Sequence, residues 1–86
     1  MSNRKDGRGV IRLGDTTDHG GEVISVAHKA TDMGIPIACV GDMVQCPRCR
    51  GTYAIVEGDP HYKIDGVPVA LHGHKTACGA ALISSV

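Results

Sequence analysis

The apolar residues of this chain occur in short runs that are bounded by glycine or proline. Valine and isoleucine dominate the runs, and β-branched side chains in runs of this length are typical of strands. Glycine or proline also interrupts the stretches of sequence that would be long enough for a helix, so only residues 27–33 offer a plausible helical turn. The pattern therefore predicts an all-β, loop-rich domain. The predicted strands cover residues 10–13, 22–26, 35–40, 52–56, 67–71 and 81–84.

A spaced pattern of glycine, proline and alanine repeats along the chain. Residues 34–41 read Gly-x-Pro-x-Ala-x-x-Gly, and the same pattern returns 32 residues later at 66–73. The segment 19–25 (HGGEVIS) likewise matches 78–84 (CGAALIS). Repeated segments normally represent one supersecondary unit used several times. We therefore expect three related turns folded about a common axis.

Each of these turns carries one side chain that can bind a metal, five positions after a glycine: His19, Cys46 and Cys78. Cys49 follows Cys46 by three residues, a spacing that lets one tight turn offer two sulfurs to the same ion. Structural zinc sites take four thiolate or imidazole ligands and leave no open position for a substrate. The residues thus predict a closed site of His19, Cys46, Cys49 and Cys78, with structural zinc as the cofactor and iron as the alternative metal. No catalytic motif accompanies it, so we expect no enzyme.

Other histidines and cysteines leave alternatives open. His72 or His74 could replace Cys49 as the fourth ligand. His74 stands where the other repeats have Asp15 and Asp42, which we expect to accept hydrogen bonds from backbone amides of their own turns. A histidine would accept such a bond more weakly, so the third turn is expected to be looser.

The cysteines also allow a redox interpretation. Cys46 and Cys49 could form a redox pair, but a thioredoxin-like motif needs a following helix, and a predicted strand follows here. Cys39 is flanked by apolar residues and is expected to be a small packed side chain. His28 and His61 lie outside the repeat register, and we expect both to be solvated.

The composition leaves little material for a hydrophobic core. The 86 residues include no Phe, no Trp and only two Tyr, against 12 Gly. A domain this short buries a small fraction of its surface and often needs a disulfide, a metal or a partner. We expect synthesis in a reducing compartment, where four cysteines favour metal or redox use over disulfides. We therefore expect a metal or a partner to complete the fold.

Charge and targeting signals exclude several classes of protein. Nine basic and nine acidic residues give a formal net charge of zero, which argues against a nucleic-acid partner, because cationic side chains carry much of that affinity. Residues 1–6 are polar and no long apolar run follows, so we expect neither a signal peptide nor a membrane helix. We expect residues 1–8 to form a flexible leader and residues 9–86 to form a single domain.

Three segments resemble the repeat of the PAAR family, which is named after a Pro-Ala-Ala-Arg stretch before a Gly-Asp turn. They are residues 9–15 (GVIRLGD), 36–42 (PIACVGD) and 68–74 (PVALHGH). Also similar are the sequences DHGG at 18–21, CPRC at 46–49 and KTACGA at 75–80. No repeat keeps the full Pro-Ala-Ala-Arg stretch. The family's metal sites use three histidines and one cysteine, whereas this chain offers one histidine and three cysteines at the matching places.

The resemblance implies a small cone of short β-hairpins with a pseudo-threefold repeat and a metal site near its tip. It implies a structural protein that caps the trimeric β-helical spike protein (valine-glycine repeat type) of a bacterial type VI secretion system, with one tip per trimer. Such a tip sharpens the spike for membrane puncturing and recruits effector cargo. It would lie in the bacterial cytoplasm on the assembled spike and then be injected into a target cell. We expect no fused effector domain. The alternative is a small zinc-ribbon-like module that binds nucleic acid or protein.

Overall fold

The computed structural model describes residues 4–5 and 8–85. These residues form short strands and no helix, so the prediction of an all-β fold is confirmed, whereas the helical turn at 27–33 is wrong. None of the described residues lies in a helix that could cross a membrane. The strands are β1 (Arg4–Lys5), β2 (Arg8–Gly9), β3 (Thr16–Thr17), β4 (Glu22–Ser25), β5 (Thr31–Asp32), β6 (Ile35–Pro36), β7 (Met43–Cys46), β8 (Gly51–Ala54), β9 (Asp59–Ile64), β10 (Val67–Val69) and β11 (Leu82–Ile83).

A closed ring of backbone hydrogen bonds joins the three repeats. Ile11 N donates to Ala70 O (2.9 Å), Ala38 N to Ile11 O (2.8 Å) and Ala70 N to Ala38 O (3.0 Å). Each repeat therefore donates to one neighbour and accepts from the other. A second set of bonds is also cyclic but runs in the opposite direction around the ring: Leu13 N to Pro36 O, Val40 N to Pro68 O and His72 N to Gly9 O. The predicted pseudo-threefold repeat is confirmed by these two rings.

The main sheet has five antiparallel strands in the order β11-β3-β4-β7-β8. Residues 75–81 connect its two outer strands. Ile55 bridges Thr76, just after β8, and Lys75 bridges Ala81, just before β11. The sheet is thereby closed on itself, and closure removes the exposed strand edges that promote aggregation.

Three two-stranded hairpins, β1–β2, β5–β6 and β9–β10, precede the three predicted repeat segments. In each hairpin two residues separate the last paired positions. Met33 and Gly34 have φ of 54° and 81°, and Asp65 and Gly66 have 52° and 81°. Positive φ at both positions is the signature of a type I′ turn, whose twist suits a two-residue hairpin.

The predicted leader, residues 1–8, lies partly outside the described residues, and its boundary stays a prediction.

Two hydrophobic clusters fill the interior, and the repeats supply equivalent residues to each. The first cluster holds the ring residues together with the inward side chains of the main sheet: Ile11, Val23, Ala38, Val44, Ile55, Ala70 and Leu82. The second cluster lies beside the hairpins: Val10, Ile37, Cys39, Val69 and Leu71. Cys39 is fully buried there, so the prediction of a packed thiol is confirmed. Tyr62 and Ile64 of β9 pack against this second cluster, a contribution that the sequence patterns did not reveal.

A buried polar network ties the last described residues to the first repeat. The Arg12 guanidinium lies 3.5 Å from the Asp32 carboxylate, and both side chains are almost fully buried. Arg12 also donates to Ser85 Oγ (2.8 Å), and this hydroxyl in turn donates to Asp15 Oδ1 (2.6 Å). The equivalent positions in the other repeats are Cys39 and Leu71, so the charge is particular to the first repeat.

Candidate metal centre

The first and third predicted ligands lie on turns of the same construction. Thr17 N donates to Gly21 O (3.1 Å) and Gly20 N donates to Thr17 O (3.1 Å) around His19. The same two bonds, both 2.9 Å, close residues 76–80 around Cys78. Gly20 and its counterpart Gly79 follow the ligand positions with φ of 78° and 84°, a conformation that glycine adopts without a Cβ penalty. The repeat therefore places an imidazole and a thiol at equivalent points.

The second turn is the Cys-x-x-Cys knuckle between β7 and β8. Cys46 is the last residue of β7 and pairs with Gly51, the first of β8. Arg50 takes the left-handed conformation (φ 58°) that reverses the chain before β8. Tyr53 holds the knuckle from the next strand, since its hydroxyl donates to Cys49 O at 3.0 Å. The insertion thus supplies a second sulfur beside the one that the repeat already provides.

The four predicted residues converge. The candidate ligand atoms of His19, Cys46, Cys49 and Cys78 all lie within 4.8 Å of one another. Cys46 is buried and the other three are half-buried. His19 Nδ1 is 3.5 Å from Cys46 Sγ. Tetrahedral zinc, with Zn–N and Zn–S bonds of about 2.0 and 2.3 Å, sets these atoms about 3.6 Å apart. The donor set and its spacing therefore fit a tetrahedral ion, and the four residues could bind a metal.

The thiols differ in acidity in the metal-free chain. Burial opposes ionisation of Cys78, but the nearby Thr76 hydroxyl and Ala80 amide, together with the neighbouring thiols, lower its pKa to about 6. The hydrogen bond with Cys46, burial and the Cys78 sulfur raise the pKa of Cys49 to about 11. A divalent cation favours the thiolate form of a coordinating cysteine, so binding would release the remaining protons.

Asp18 connects the first turn with the third. Its Oδ1 accepts a hydrogen bond from Ala81 N at 2.9 Å and lies 3.9 Å from His19 Nε2. The His19 ring thus has a thiol near one nitrogen and a carboxylate near the other, although 3.9 Å is too long for the hydrogen bond that orients many metal-binding histidines. The sequence patterns did not single out Asp18 for this role. Its position immediately before His19 was the available signal.

His72 and His74 have a different function from the four clustered residues. His74 Nδ1 accepts from Leu71 N at 2.8 Å, and Asp15 and Asp42 accept the equivalent bonds at the same distance. We expected a weaker hydrogen bond and a looser turn at His74, but its bond is as short as those of the two aspartates. His72 Nδ1 accepts from Ser84 N at 3.0 Å. Both rings therefore serve the backbone of the third repeat.

The two histidines outside the repeat register differ in exposure. His61 lies in strand β9 and is exposed, as expected. His28 is half-buried, and its Nδ1 lies 3.4 Å from Asp65 Oδ2 at the turn of the third hairpin. Neither residue belongs to the cluster that could hold a metal, so the described geometry gives them no part in this centre.

Comparison with known proteins agrees with the geometry. The sequence profile of the PAAR motif matches residues 13–84, which span all three ligand turns and most of the chain. Among curated proteins, none matches the chain. The profile match and the cyclic arrangement of three repeats rest on different observations, one on sequence and one on backbone hydrogen bonds. The chain belongs to the PAAR motif family.

Proposed function

We propose that this protein is the structural tip of a bacterial type VI secretion spike and caps the blunt end of the trimeric β-helical spike protein. The PAAR motif fits a spike-tip protein in general. The observation that carries the proposal is the closed ring formed by Ile11, Ala38 and Ala70. A single chain with three cyclically bonded repeats presents three similar surfaces. It can therefore meet a threefold-symmetric partner with three similar contacts.

The cone would be held at its point by a metal. We propose zinc as the ion and His19, Cys46, Cys49 and Cys78 as its ligands, since their donor atoms lie within 4.8 Å of one another. Zinc would supply a crosslink between three turns that are far apart in sequence. The protein residues fix the direction of each donor atom, through the two glycine turns and the knuckle. A site with four protein ligands leaves no position for a substrate, which agrees with a structural role and no enzymatic activity.

The remaining parts of the proposal concern where the tip acts. The protein would assemble on the spike in the bacterial cytoplasm and be injected with it, helping to puncture the target membrane and carrying effector cargo. Residues 9–86 would form the tip domain and residues 1–8 a leader. The formal net charge of zero agrees with a protein partner and gives no electrostatic attraction to nucleic acid.

Assembly with a purified trimeric β-helical spike protein tests the proposed partner. Native mass spectrometry should detect one copy of this chain per spike trimer, and excess chain should add no second copy. A parallel titration with duplex DNA at physiological salt should show no binding. Complexes with other ratios, or no complex, would contradict the capping role. Salt-dependent DNA binding would favour the zinc-ribbon-like alternative.

A further inference from the structure

A buried hydroxyl lies against one of the candidate ligand sulfurs. We propose that Thr76 positions the Cys78 sulfur for metal binding through a hydrogen bond from its hydroxyl. This inference rests on the proposed metal site. Thr76 is 2% exposed, and its Oγ1 lies 3.1 Å from Cys78 Sγ. The same oxygen accepts a hydrogen bond from Ala80 N at 3.2 Å. The side chain thus contacts both the sulfur and the backbone that follows it.

The direction of the hydrogen bond follows from the number of protons. A threonine hydroxyl has one proton to donate and can accept at its oxygen. The oxygen accepts from Ala80 N, and a metal-bound thiolate has no proton, so Cys78 Sγ can only accept. In the 3.1 Å contact between the two atoms, the Thr76 hydroxyl is then the donor and the sulfur the acceptor. This hydrogen bond therefore holds the sulfur at a point within 4.8 Å of the other candidate ligand atoms.

The equivalent residues of the other repeats show that packing at this core position does not require a hydroxyl. Three positions after the glycine that opens each turn stand Thr17, Val44 and Thr76, and all three are buried. Thr17 Oγ1 accepts from two amides, Gly21 N (3.1 Å) and His19 N (3.3 Å). Val44 has no hydroxyl and still packs in the core. A valine is therefore compatible with this core position, and the contact with a ligand sulfur distinguishes Thr76 from Thr17.

Cobalt(II) binding to Thr76→Val measures the role of the hydroxyl directly. A hydrogen bond to a thiolate lowers the energy of the sulfur electrons, so its loss should move a thiolate-to-cobalt charge-transfer band to longer wavelength. Loss of a group that orients a metal ligand typically lowers metal affinity by about 10- to 100-fold. We expect both effects in Thr76→Val. Thr76→Ser keeps the hydroxyl and should restore the wild-type band and affinity.

Thr17→Val is the matched control. It removes a buried threonine hydroxyl at the equivalent position and leaves Gly21 N and His19 N without their side-chain acceptor, but it touches no sulfur. If Thr76 acted only by satisfying backbone amides, the two valine variants would weaken metal binding alike and neither would move the band. Equal losses in both variants, or an unchanged band and affinity in Thr76→Val, would overturn the inference.

Two further outcomes keep the test decisive. Should Thr76→Val fail to fold, Thr76→Ala also removes the hydroxyl and leaves room for a water at Ala80 N, so the same band and affinity comparison applies. A wild-type chain that binds cobalt without any thiolate charge-transfer band would refute the metal site of the proposed function, and the role of Thr76 with it. If the wild-type chain shows the charge-transfer band and Thr76→Ala shows the same band and the same cobalt affinity, only the role of Thr76 is refuted.

Discussion

Replacement of Cys49 by serine should remove most of the stability that the protein gains from zinc. Cys49 is half-buried on the knuckle, so the substitution should change the metal-free fold by less than about 1 kcal/mol. The four candidate ligand atoms lie within 4.8 Å of one another, which makes this sulfur one of four donors to a shared ion. Its loss leaves three donors and weakens binding accordingly. The effect is therefore expected on the response to metal rather than on the fold itself.

The magnitude follows from linkage between binding and folding. Free zinc at a thousand times its dissociation constant stabilises the native state by about 4 kcal/mol. For a domain of this length, 1 kcal/mol moves the melting temperature by about 4–8 °C. The wild-type chain should therefore melt about 16–32 °C higher in buffered zinc than with a chelator. The Cys49→Ser variant should lose most of that difference.

Calorimetric melting with and without zinc measures this response. Cys39→Ala is the control, because Cys39 is a fully buried thiol in the second cluster, away from the candidate ligands. It should melt lower than wild type in both conditions and keep the full response to zinc. Equal melting temperatures of the wild-type chain with zinc and with chelator would refute the structural role of the metal.

Three other substitutions test separate parts of the fold. Burial, with the Asp42 and Asp65 carboxylates adding to it, raises the pKa of Cys39 from 9.0 to about 11. The folded state keeps a proton that the unfolded chain loses, so this contribution is complete below about pH 9 and is lost as the pH rises through about 11, by at most about 2.7 kcal/mol. Urea unfolding should show a smaller decrease over this window in Cys39→Ala than in wild type, and equal slopes would contradict the assignment. Asp32→Ala leaves the Arg12 charge buried without its partner and should cost about 3–5 kcal/mol, whereas the double variant Arg12→Leu/Asp32→Ala should recover much of the loss in the same unfolding assay. Gly21→Ala places a Cβ 1.9 Å from Gln45 O on the neighbouring strand and should cost about 1–3 kcal/mol, and melting as stable as wild type would show that the strands separate easily there.

The repeat was the part of the fold that sequence could predict. The glycine spacing placed the three turns in register and predicted which residues would converge, because equivalent positions in a cyclic fold lie at equal distances from the axis and approach one another where that distance is short. The first repeat diverges most in sequence from the other two, yet His19 still lies beside Cys46, with Nδ1 and Sγ 3.5 Å apart.

The hairpins and the polar contacts could not be predicted in this way. Strand β9 carries one histidine and one lysine in a short, mixed sequence, and its residues Tyr62 and Ile64 form no periodic apolar pattern, although both pack on the second cluster. The burial of Arg12 depends on Asp32 and Ser85, which lie 20 and 73 residues further along the chain. Contacts of this kind follow from tertiary packing and leave no local periodic signal.

The cyclic ring of Ile11, Ala38 and Ala70 has a consequence for assembly on a symmetric partner. Because one chain supplies all three repeats, one repeat can differ from the other two, as the charged position 12 beside its counterparts Cys39 and Leu71 illustrates. The proposed trimeric partner would offer the chain three equivalent positions, related by a third of a turn. The proposed effector cargo, if bound to a single face, would then take one of three directions around the spike, at random in each assembly.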